Sequence, residues 1–369
     1  MRSTQINNLG KAVHELCRPP SIHIKLSTAC EGILNGAGSR RRVATMALPR
    51  RTLGNTGISV SVLGFGASPL GGIFEDIDEA EGVRAVHRAF ASGINYFDTS
   101  PFYGATRSEK VLGQALKDLP RSEIVVSSKV GRYGESTFDF SVDRVTASVH
   151  ESLQRLQVPY LDIVLCHDVE NVDLTQVAKE AIPALAKLRD AGLVKAVGFS
   201  GLPLKMFTKL LDLVEPGMVD IVLSWSHYTL ADQSLLTLMP QFQAKGLGVI
   251  SASPLAMGLL TNRGPPSWHP APDSLKKACA AAAEHAKKRG VDISKLALTY
   301  ALRAGEVSSM LVGMATSDLV DANVANARQA LGLDPNPNAI LEEEVMKEVE
   351  EILKPCQGLT WISGRPENN

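Results

Sequence analysis

The sequence has few cysteines, almost no net charge and no long apolar segment, and each shortage excludes a class of protein. Its five cysteines lack Cys-X-X-Cys or zinc-site spacing, which favours free thiols in a reducing compartment such as the cytoplasm, and no metal site. A net charge of −1 gives no reason to expect nucleic acid or a membrane as a partner. No apolar run reaches the roughly 20 residues that span a bilayer.

Residues 1–46 differ in composition from the rest of the chain. They contain seven basic residues but only two acidic ones, Glu15 and Glu31. An acid-poor leader rich in Arg and Ser is typical of a transit peptide, so import into a plastid or mitochondrion is one interpretation. A disordered tail, or a true start at Met46, is the other. We predict a disordered extension over 1–46 and one folded domain over 47–369.

From Pro49 onward, short apolar segments alternate with amphipathic ones. Continuously apolar strands indicate burial on both faces, and eight βα units close naturally into a barrel. A doubly wound open sheet is the alternative, but the glycines after the first strand do not continue into a GxGxxG turn. We therefore predict a single (β/α)₈ barrel with an extra C-terminal helix over 340–353. The predicted strands are 60–66, 95–98, 124–129, 161–167, 194–200, 219–224, 248–252 and 309–313.

Polar side chains stand at the ends of three consecutive strands. Asp98 ends the second strand and Tyr103 follows in a Pro/Gly loop, while Lys129 and His167 end the third and fourth. Taken singly, each has an ordinary explanation as a helix cap, a half-buried aromatic, a surface lysine or a core histidine. In a parallel barrel, however, the carboxyl ends of the strands meet at one rim. We therefore expect the four side chains to converge there.

This set of side chains suits proton transfer to or from an oxygen. A free tyrosine has a pKa of about 10, and a nearby ammonium favours the tyrosinate. An Asp keeps such a lysine charged, and a neutral His can hydrogen-bond the reacting oxygen. Oxidation of an alcohol or reduction of a carbonyl needs this proton transfer together with hydride transfer. Because no side chain supplies hydride, a redox cofactor is implied.

One motif resembles a known family. Residues 93–100, followed by Tyr103-Gly104 and Ser108-Glu109, are similar to the lead motif of the aldo-keto reductase superfamily, whose members are (β/α)₈ barrels that use nicotinamide cofactors. The resemblance covers roughly residues 50–363. It implies four catalytic roles: Tyr103 as the general acid/base, Lys129 as the group that tunes it, Asp98 as the support of Lys129, and His167 as the residue that positions the substrate.

Further stretches resemble plant members of the superfamily that oxidise the anomeric carbon of L-galactose to a lactone on the route to ascorbate. They are residues 64–71, 201–204, 249–261, 264–270 and 359–361. The likeness implies NAD-dependent oxidation of an aldose at C1, with L-galactose favoured and L-fucose and related sugars left open. A broad-range NADPH aldehyde reductase and a slow cofactor-binding regulatory subunit are the alternatives. A monomer and a homodimer both stay open.

The residues that contact the cofactor are predicted from the same resemblance, and the preference for NAD is predicted from charge. Free N–H groups at the start of the last barrel helix, near Ser317, are a natural phosphate seat. The segment 313–323 has no Lys or Arg to hold a 2′-phosphate and carries Asp318 and Asp321 instead, which predicts NAD rather than NADP. The resemblance implies cofactor contacts at Gly66, Asp98, Ser200, Ser224, Ser253, Leu255, Gly258, Gly313, Met314, Thr316 and Asn323.

The chain departs from the family pattern around the nicotinamide. Gly201 stands where the family has an asparagine, and Ala252 stands where it has a stacking aromatic; Trp225 or Tyr228 could supply a ring. Aromatic faces suit the apolar patches of a sugar, and polar tips suit its hydroxyls. On that basis we predict a substrate wall formed by Phe74, Trp225, His227 and Trp268. For Trp268, which lies between two prolines, a loop-filling role is equally compatible with the sequence.

Overall fold

The computed structural model describes residues 47–73 and 75–369, so the predictions for 1–46 and for Phe74 lie outside the described residues. Eight parallel strands close into a barrel, and all eight follow one another in chain order around it. This confirms the predicted (β/α)₈ fold. A two-stranded hairpin, β1 (Arg50–Thr52) and β2 (Ser59–Ser61), precedes the barrel. The barrel strands are β3 (Leu63–Gly66), β4 (Tyr96–Asp98), β5 (Val125–Val130), β6 (Leu161–Cys166), β7 (Val194–Gly201), β8 (Ile221–Trp225), β9 (Gly248–Ala252) and β10 (Ser309–Gly313).

The single strand predicted over 60–66 is wrong, because the structure divides it between the hairpin and the barrel. The side chain of Asn95 lies at the division and bonds the hairpin strand. Its Oδ1 accepts a 2.6 Å hydrogen bond from Ser61 N, and its Nδ2 donates to Ser59 O at 2.9 Å. The Asn95 amide thus satisfies two backbone groups at the point where the hairpin leaves the barrel sheet. Leu53 and Val60, both fully buried, close the amino end of the barrel interior.

Helices surround the barrel and cover the outward faces of its strands. Their apolar faces pack against outward-facing residues such as Phe97, Val164 and Val222 in one continuous core. The helix over 174–190 contains a π turn at 177–181, and none of the helices in the described ranges is long and apolar enough to cross a membrane. The helices are α1 (Glu79–Ala91), α2 (Arg107–Leu116), α3 (Val142–Leu156), α4 (Leu174–Gln176), α5 (Ile182–Asp190), α6 (Leu204–Leu213), α7 (Met239–Ala244), α8 (Asp273–Lys288), α9 (Ile293–Leu302), α10 (Ser317–Ala330) and α11 (Ala339–Leu353).

The barrel interior changes character along its axis. Its lower part is apolar and is formed by inward residues such as Tyr96, Ile163 and Leu223. Alternate residues of a strand share a face, so Asp98 lies on the same side of β4 as Tyr96. By the same alternation, Lys129 faces the interior from β5. The polar side chains are therefore gathered at the carboxyl end, where barrel chemistry takes place.

Candidate active site

A buried ion pair forms the centre of the rim. Lys129 Nζ lies 2.5 Å from Asp98 Oδ1 and donates to Thr99 O at 2.9 Å, and both charged side chains are almost fully buried. Ser127 Oγ donates to the other Asp98 oxygen at 2.6 Å. Burial opposes the charge on Lys129, but Asp98 and Tyr103 outweigh it and raise the lysine pKa. Lys129 is therefore a fixed cation, as the sequence predicts for a group that tunes a neighbour.

The Tyr103 ring lies beside this cation. Lys129 Nζ is 4.8 Å from the centre of the ring. The loop that carries Tyr103 is held by close backbone packing, since a Cβ on Gly104, whose φ is +60°, would lie 2.0 Å from Gly71 O. Ser108 Oγ donates to Ala67 O at 2.7 Å and fixes the end of the same loop. The phenol is thus placed by the backbone rather than by side-chain packing alone.

Two opposing influences act on the Tyr103 phenol. Burial raises its pKa, and the Lys129 ammonium is the largest influence that lowers it. We expected the lysine to favour the tyrosinate, and it does, but burial is the larger effect and the net direction is upward. In the unliganded protein the phenol is therefore protonated at neutral pH, and Lys129 limits the cost of removing its proton.

His167 completes the group of four. Its ring packs edge-on against the Tyr103 ring with centroids 5.6 Å apart, and its Nδ1 lies 3.0 Å from Ser100 Oγ. Burial lowers the pKa of His167 to about 3, with Lys129 and Arg132 adding to the effect and Asp168 opposing it. The imidazole is neutral at physiological pH. A neutral ring beside the phenol can hydrogen-bond a substrate oxygen without competing for its proton.

Two charged residues of this rim do not figure in the sequence prediction. Asp168 follows His167 in the backbone and forms an ion pair with Arg132, whose guanidinium lies 3.9 Å from the centre of the Phe102 ring. Asp168 has a φ of +48°, a strained conformation for a non-glycine residue. The sequence motif does not include Arg132 or Asp168, and only the fold brings Arg132 next to the loop after β6.

The predicted cofactor residues after β9 lie in an unusually twisted loop. Ser253, Ala256, Met257 and Gly258 all have positive φ, whereas Leu255 between them does not. Successive backbone N–H groups in alternating right- and left-handed conformations form concave anion sites, and strain of this kind concentrates at functional sites. The cofactor contacts at Ser253, Leu255 and Gly258 stay a prediction, and the unusual backbone of this loop is compatible with it.

The predicted cofactor residues near β10 surround the same edge of the rim. Gly66 and Gly313 are paired neighbours on β3 and β10, and Met314 N donates to Gly66 O at 3.2 Å. Met314 is fully buried in the unliganded protein. Thr316 caps α10, and its Oγ1 accepts from Leu319 N at 3.3 Å. Asn323 lies half-buried further along the helix.

A carboxylate already occupies part of the α10 N-terminus. Glu81 of α1 accepts a 2.7 Å hydrogen bond from Ser317 N, and this backbone donor, followed by the Ser317 hydroxyl and Arg84, lowers the pKa of Glu81 to about 2. Arg88 of α1 lies 2.5 Å from Asp321. The Arg88 guanidinium from α1 therefore lies beside the segment 313–323, but it is already paired with Asp321.

Several buried hydroxyl and imidazole atoms near β8 and β9 lack a partner. Among the described residues they include Ser224 Oγ, Ser226 Oγ, His227 Nε2 and Ser251 Oγ. By contrast, Ser200 Oγ has partners, since it accepts from Asp168 N at 3.3 Å. Unpaired buried polar atoms are rare in folded proteins and are often satisfied by a bound ligand or by water. Ser224 thus has free hydrogen-bonding capacity for the predicted cofactor contact.

An aromatic wall borders the rim above β8. Trp225 and Trp361 have ring centroids 6.0 Å apart, and His269 packs edge-on against Trp361 at 4.8 Å. Tyr228 instead stacks on Tyr300 in the helix layer, so Trp225 is the ring of the two that faces the barrel interior. In the sequence, Trp361 is singled out only because residues 359–361 resemble the plant members of the superfamily.

The other two predicted substrate residues differ in their placement. Trp268 is 57 % exposed, whereas the adjacent His269 is buried beneath the wall. A proline-bounded loop turns these neighbours in opposite directions, which places Trp268 outside the wall. His227 is buried, its Nδ1 lies 2.7 Å from Asp232 Oδ2, and its Nε2 is the ring nitrogen without a partner.

A cavity opens at the amino end of the barrel, opposite the rim. It has a volume of about 530 Å³ and is lined by residues that include Arg51, Asn55, Gln243 and Glu306. The guanidinium of Arg51 already donates to the carbonyls of Ala304 and Val307. In the described part of the chain, no cluster of His, Cys, Asp or Glu could hold a metal ion. The carboxyl rim is therefore the candidate active site.

Comparisons with known proteins agree with this geometry. Residues 62–354 match the model of the aldo/keto reductase family. The chain is 52 % identical over 322 residues to the L-galactose dehydrogenase of Arabidopsis thaliana, covering 86 % of this chain and 98 % of that protein. It is 36 % identical to the D-arabinose 1-dehydrogenase of Saccharomyces cerevisiae, over 66 % of this chain and 76 % of the yeast protein.

A solved structure shows the same architecture. It is an aldo-keto reductase from Bacillus halodurans in its holo form, with a TM-score of 0.64 and 26 % sequence identity. The match covers 82 % of this chain and 96 % of the bacterial one. The predicted resemblance is thereby confirmed.

Proposed function

Since the chain belongs to the aldo/keto reductase family, we propose that it is an NAD-dependent aldose 1-dehydrogenase acting on L-galactose. The observation that carries the proposal is the buried Lys129–Asp98 pair beside the Tyr103 ring, with neutral His167 packed against the same ring. The 52 % identity to an L-galactose dehydrogenase supports this substrate. A product lactone of this sugar would belong to the route to ascorbate.

The residues around the rim fit a nicotinamide dinucleotide. The loop of positive-φ residues at 253–258 offers backbone N–H groups for phosphate, and the unpaired Ser224 hydroxyl offers a hydrogen bond near the ring. Trp225 supplies an aromatic face where Ala252 does not. When bound, the nicotinamide supplies the hydride acceptor that no side chain can provide.

The side chains handle the proton. Tyr103 removes the proton of the anomeric hydroxyl as the carbonyl of the lactone forms, while the hydrogen on C1 leaves with its electron pair. Lys129 stabilises the phenolate, and Asp98 keeps the ammonium in place. His167 donates or accepts a hydrogen bond at the same oxygen and orients it towards the phenol.

NAD is the proposed cofactor because charge at the α10 N-terminus opposes an additional phosphate. A 2′-phosphate there would meet the Glu81 carboxylate on Ser317 N, and both guanidinium groups nearby on α1 are already paired, Arg84 with Glu81 and Arg88 with Asp321. Replacing Glu81 with Gln keeps the acceptor for Ser317 N but removes the charge. We expect the ratio of kcat/KM for NADP to that for NAD to rise about tenfold in this variant.

The control for that measurement is Glu123→Gln, an exposed carboxylate at the amino end of β5. It should leave the cofactor ratio unchanged. A wild-type enzyme that already uses NADP better than NAD would refute the assignment of the cofactor. An unchanged ratio in Glu81→Gln would show that Glu81 does not determine it.

Turnover of a panel of free sugars tests the substrate. With NAD and each sugar, the formation of NADH is followed by absorbance. We expect kcat/KM for L-galactose to exceed that for D-galactose by about 100-fold, because buried polar groups reject hydroxyls in the wrong position. L-Fucose, which lacks one hydroxyl, measures how much the C6 oxygen contributes. If no aldose is oxidised while simple aldehydes are reduced with NADPH, the broad-range reductase is the correct reading.

A further inference from the structure

One buried carboxyl group near the rim has no role in the proposed chemistry. Glu170 follows catalytic His167 by three residues and is fully buried. None of the ion pairs found in residues 47–73 and 75–369 involves it. Its Oε1 accepts from Ser363 Oγ at 2.8 Å and from Leu202 N at 3.3 Å, while its Oε2 has no partner. A buried carboxyl without a cation is most easily held in its uncharged form.

Two glycines from different parts of the chain make room for this side chain. A Cβ on Gly201, at the end of β7, would lie 2.5 Å from Glu170 Oε2. A Cβ on Gly364 would lie 2.7 Å from Glu170 Cγ and 2.3 Å from its backbone oxygen. Any larger residue at either position would displace the carboxyl. The site is thus a cradle shaped by the barrel on one side and by the C-terminal end of the chain on the other.

The C-terminal tail, residues 357–369, is attached to the Glu170 segment at several points. Arg365 N donates to Glu170 O at 2.9 Å, and Asn368 Nδ2 donates to the same oxygen at 3.0 Å. Asn368 is itself almost fully buried. Earlier in the tail, Trp361 packs against Trp225 at the end of β8. The tail therefore connects the loop after His167 with the aromatic wall.

We propose that Glu170, held in this cradle, is a positioning residue that fastens the C-terminal tail at the rim between the loop after β6 and the end of β8. By holding the tail, it holds Trp361 against Trp225. The part that concerns substrate binding rests on the proposed function, whereas the fastening itself does not. Glu170 contacts neither sugar nor cofactor in this account, and it acts through Ser363 and the tail backbone.

The surrounding charges determine how the fastening responds to pH. Burial, reinforced by the like charge of Asp168, raises the pKa of Glu170 to about 8. Asp168 and His167 face it from its own loop, with Arg132 bound to Asp168. On the tail and α6, Arg365 pairs with Glu367, and Lys209 donates to the Glu367 carbonyl. In a released tail, the pKa of Glu170 would return to its ordinary value of 4.5. Because the attached form has the higher pKa, the attachment is strongest below pH 4.5 and weakens as the pH rises towards 8.

Chymotrypsin cleavage after Trp361, followed by mass spectrometry, measures tail release. Cleavage of a transiently opened segment follows the population of the open form. Relative to Glu170→Gln, which cannot ionise, cleavage of the wild-type tail should speed up by as much as about tenfold per pH unit between pH 6 and 8. Glu170→Ala, which loses the Ser363 contact, should be cleaved rapidly at every pH. Glu215→Gln, a distant exposed carboxylate, should match the wild type.

If the ratio of cleavage rates between wild type and Glu170→Gln stayed constant from about pH 6 to 8, the proposal that Glu170 fastens the tail would be wrong. Kinetics test its consequence separately. Glu170→Ala should raise KM for the sugar about tenfold with little change in kcat, and Glu170→Gln should restore the wild-type KM at pH 7. If cleavage behaves as expected but KM does not change, the fastening stands and its role in sugar binding is refuted. If no sugar is oxidised at all, only the proposed function fails.

Discussion

Replacing Tyr103 with Phe should lower kcat for sugar oxidation about 10³-fold, because the variant loses the proposed proton acceptor. The ring would remain, so its edge-on contact with His167 and its position over Lys129 should persist. Binding of NAD, measured by calorimetry, should be unchanged. The loss should fall on kcat rather than on KM for the sugar, since the interaction is made in the transition state.

The pH dependence of the same pair of enzymes adds a second readout. Burial raises the pKa of Tyr103, so only a minor fraction is ionised at neutral pH. The wild-type rate should therefore increase with pH between 7 and 9, as the basic form becomes more abundant. The residual rate of Tyr103→Phe should not follow that increase.

Tyr160→Phe is a matched control for Tyr103→Phe. Tyr160 lies at the amino end of β6, where its ring is covered by Arg121 at 3.8 Å and by Lys195 at 4.2 Å. A phenylalanine keeps both ring contacts and removes only a hydroxyl far from the rim. This variant should retain wild-type kcat. If Tyr103→Phe also retains it, the assignment of the general base is wrong.

Replacing Lys129 with Met should affect both catalysis and stability. The phenolate of Tyr103 would lose its stabilising cation, which should lower kcat by about 10²- to 10³-fold. Asp98 would stay buried without its counter-ion, keeping only the hydrogen bond from Ser127. Removing one partner of a buried pair typically costs about 3–5 kcal/mol in the free energy of unfolding. Denaturant unfolding measures that cost.

The double variant Asp98→Asn, Lys129→Met separates the two effects. It removes both charges, so most of the lost stability should return while kcat stays low. Recovery of activity together with stability would mean that Lys129 acts only on folding. A single Lys129→Met variant with wild-type kcat would likewise contradict its role beside Tyr103.

The barrel and the four rim residues could be predicted because both follow from local patterns. Apolar segments alternating with helical ones define the strands, and the ends of parallel strands must meet. Asp98, Lys129 and His167 each end such a segment, so their convergence follows from the order of the strands. The predicted bounds of β9 and β10 agree with those observed, because glycine and serine mark their ends.

Contacts between distant parts of the chain could not be predicted in the same way. Glu81 binds Ser317 N across 236 residues, and Ser363 binds Glu170 across 193. In a single sequence, nothing links such partners until helices pack and the tail is placed. The net direction of the Tyr103 pKa is a similar case, because it depends on how deeply the phenol is buried. Trp268 shows the limit for loops, where neighbouring side chains can face opposite ways.

A crystal structure of the protein with NAD and the sugar or its lactone tests the central claim most directly. The measured quantity is the distance from Tyr103 Oη to the oxygen on C1 of the sugar. We predict a hydrogen bond of about 2.6–3.2 Å, with His167 bonded to the same oxygen. A sugar bound with that oxygen out of reach of Tyr103 and against another ionisable side chain would contradict the account.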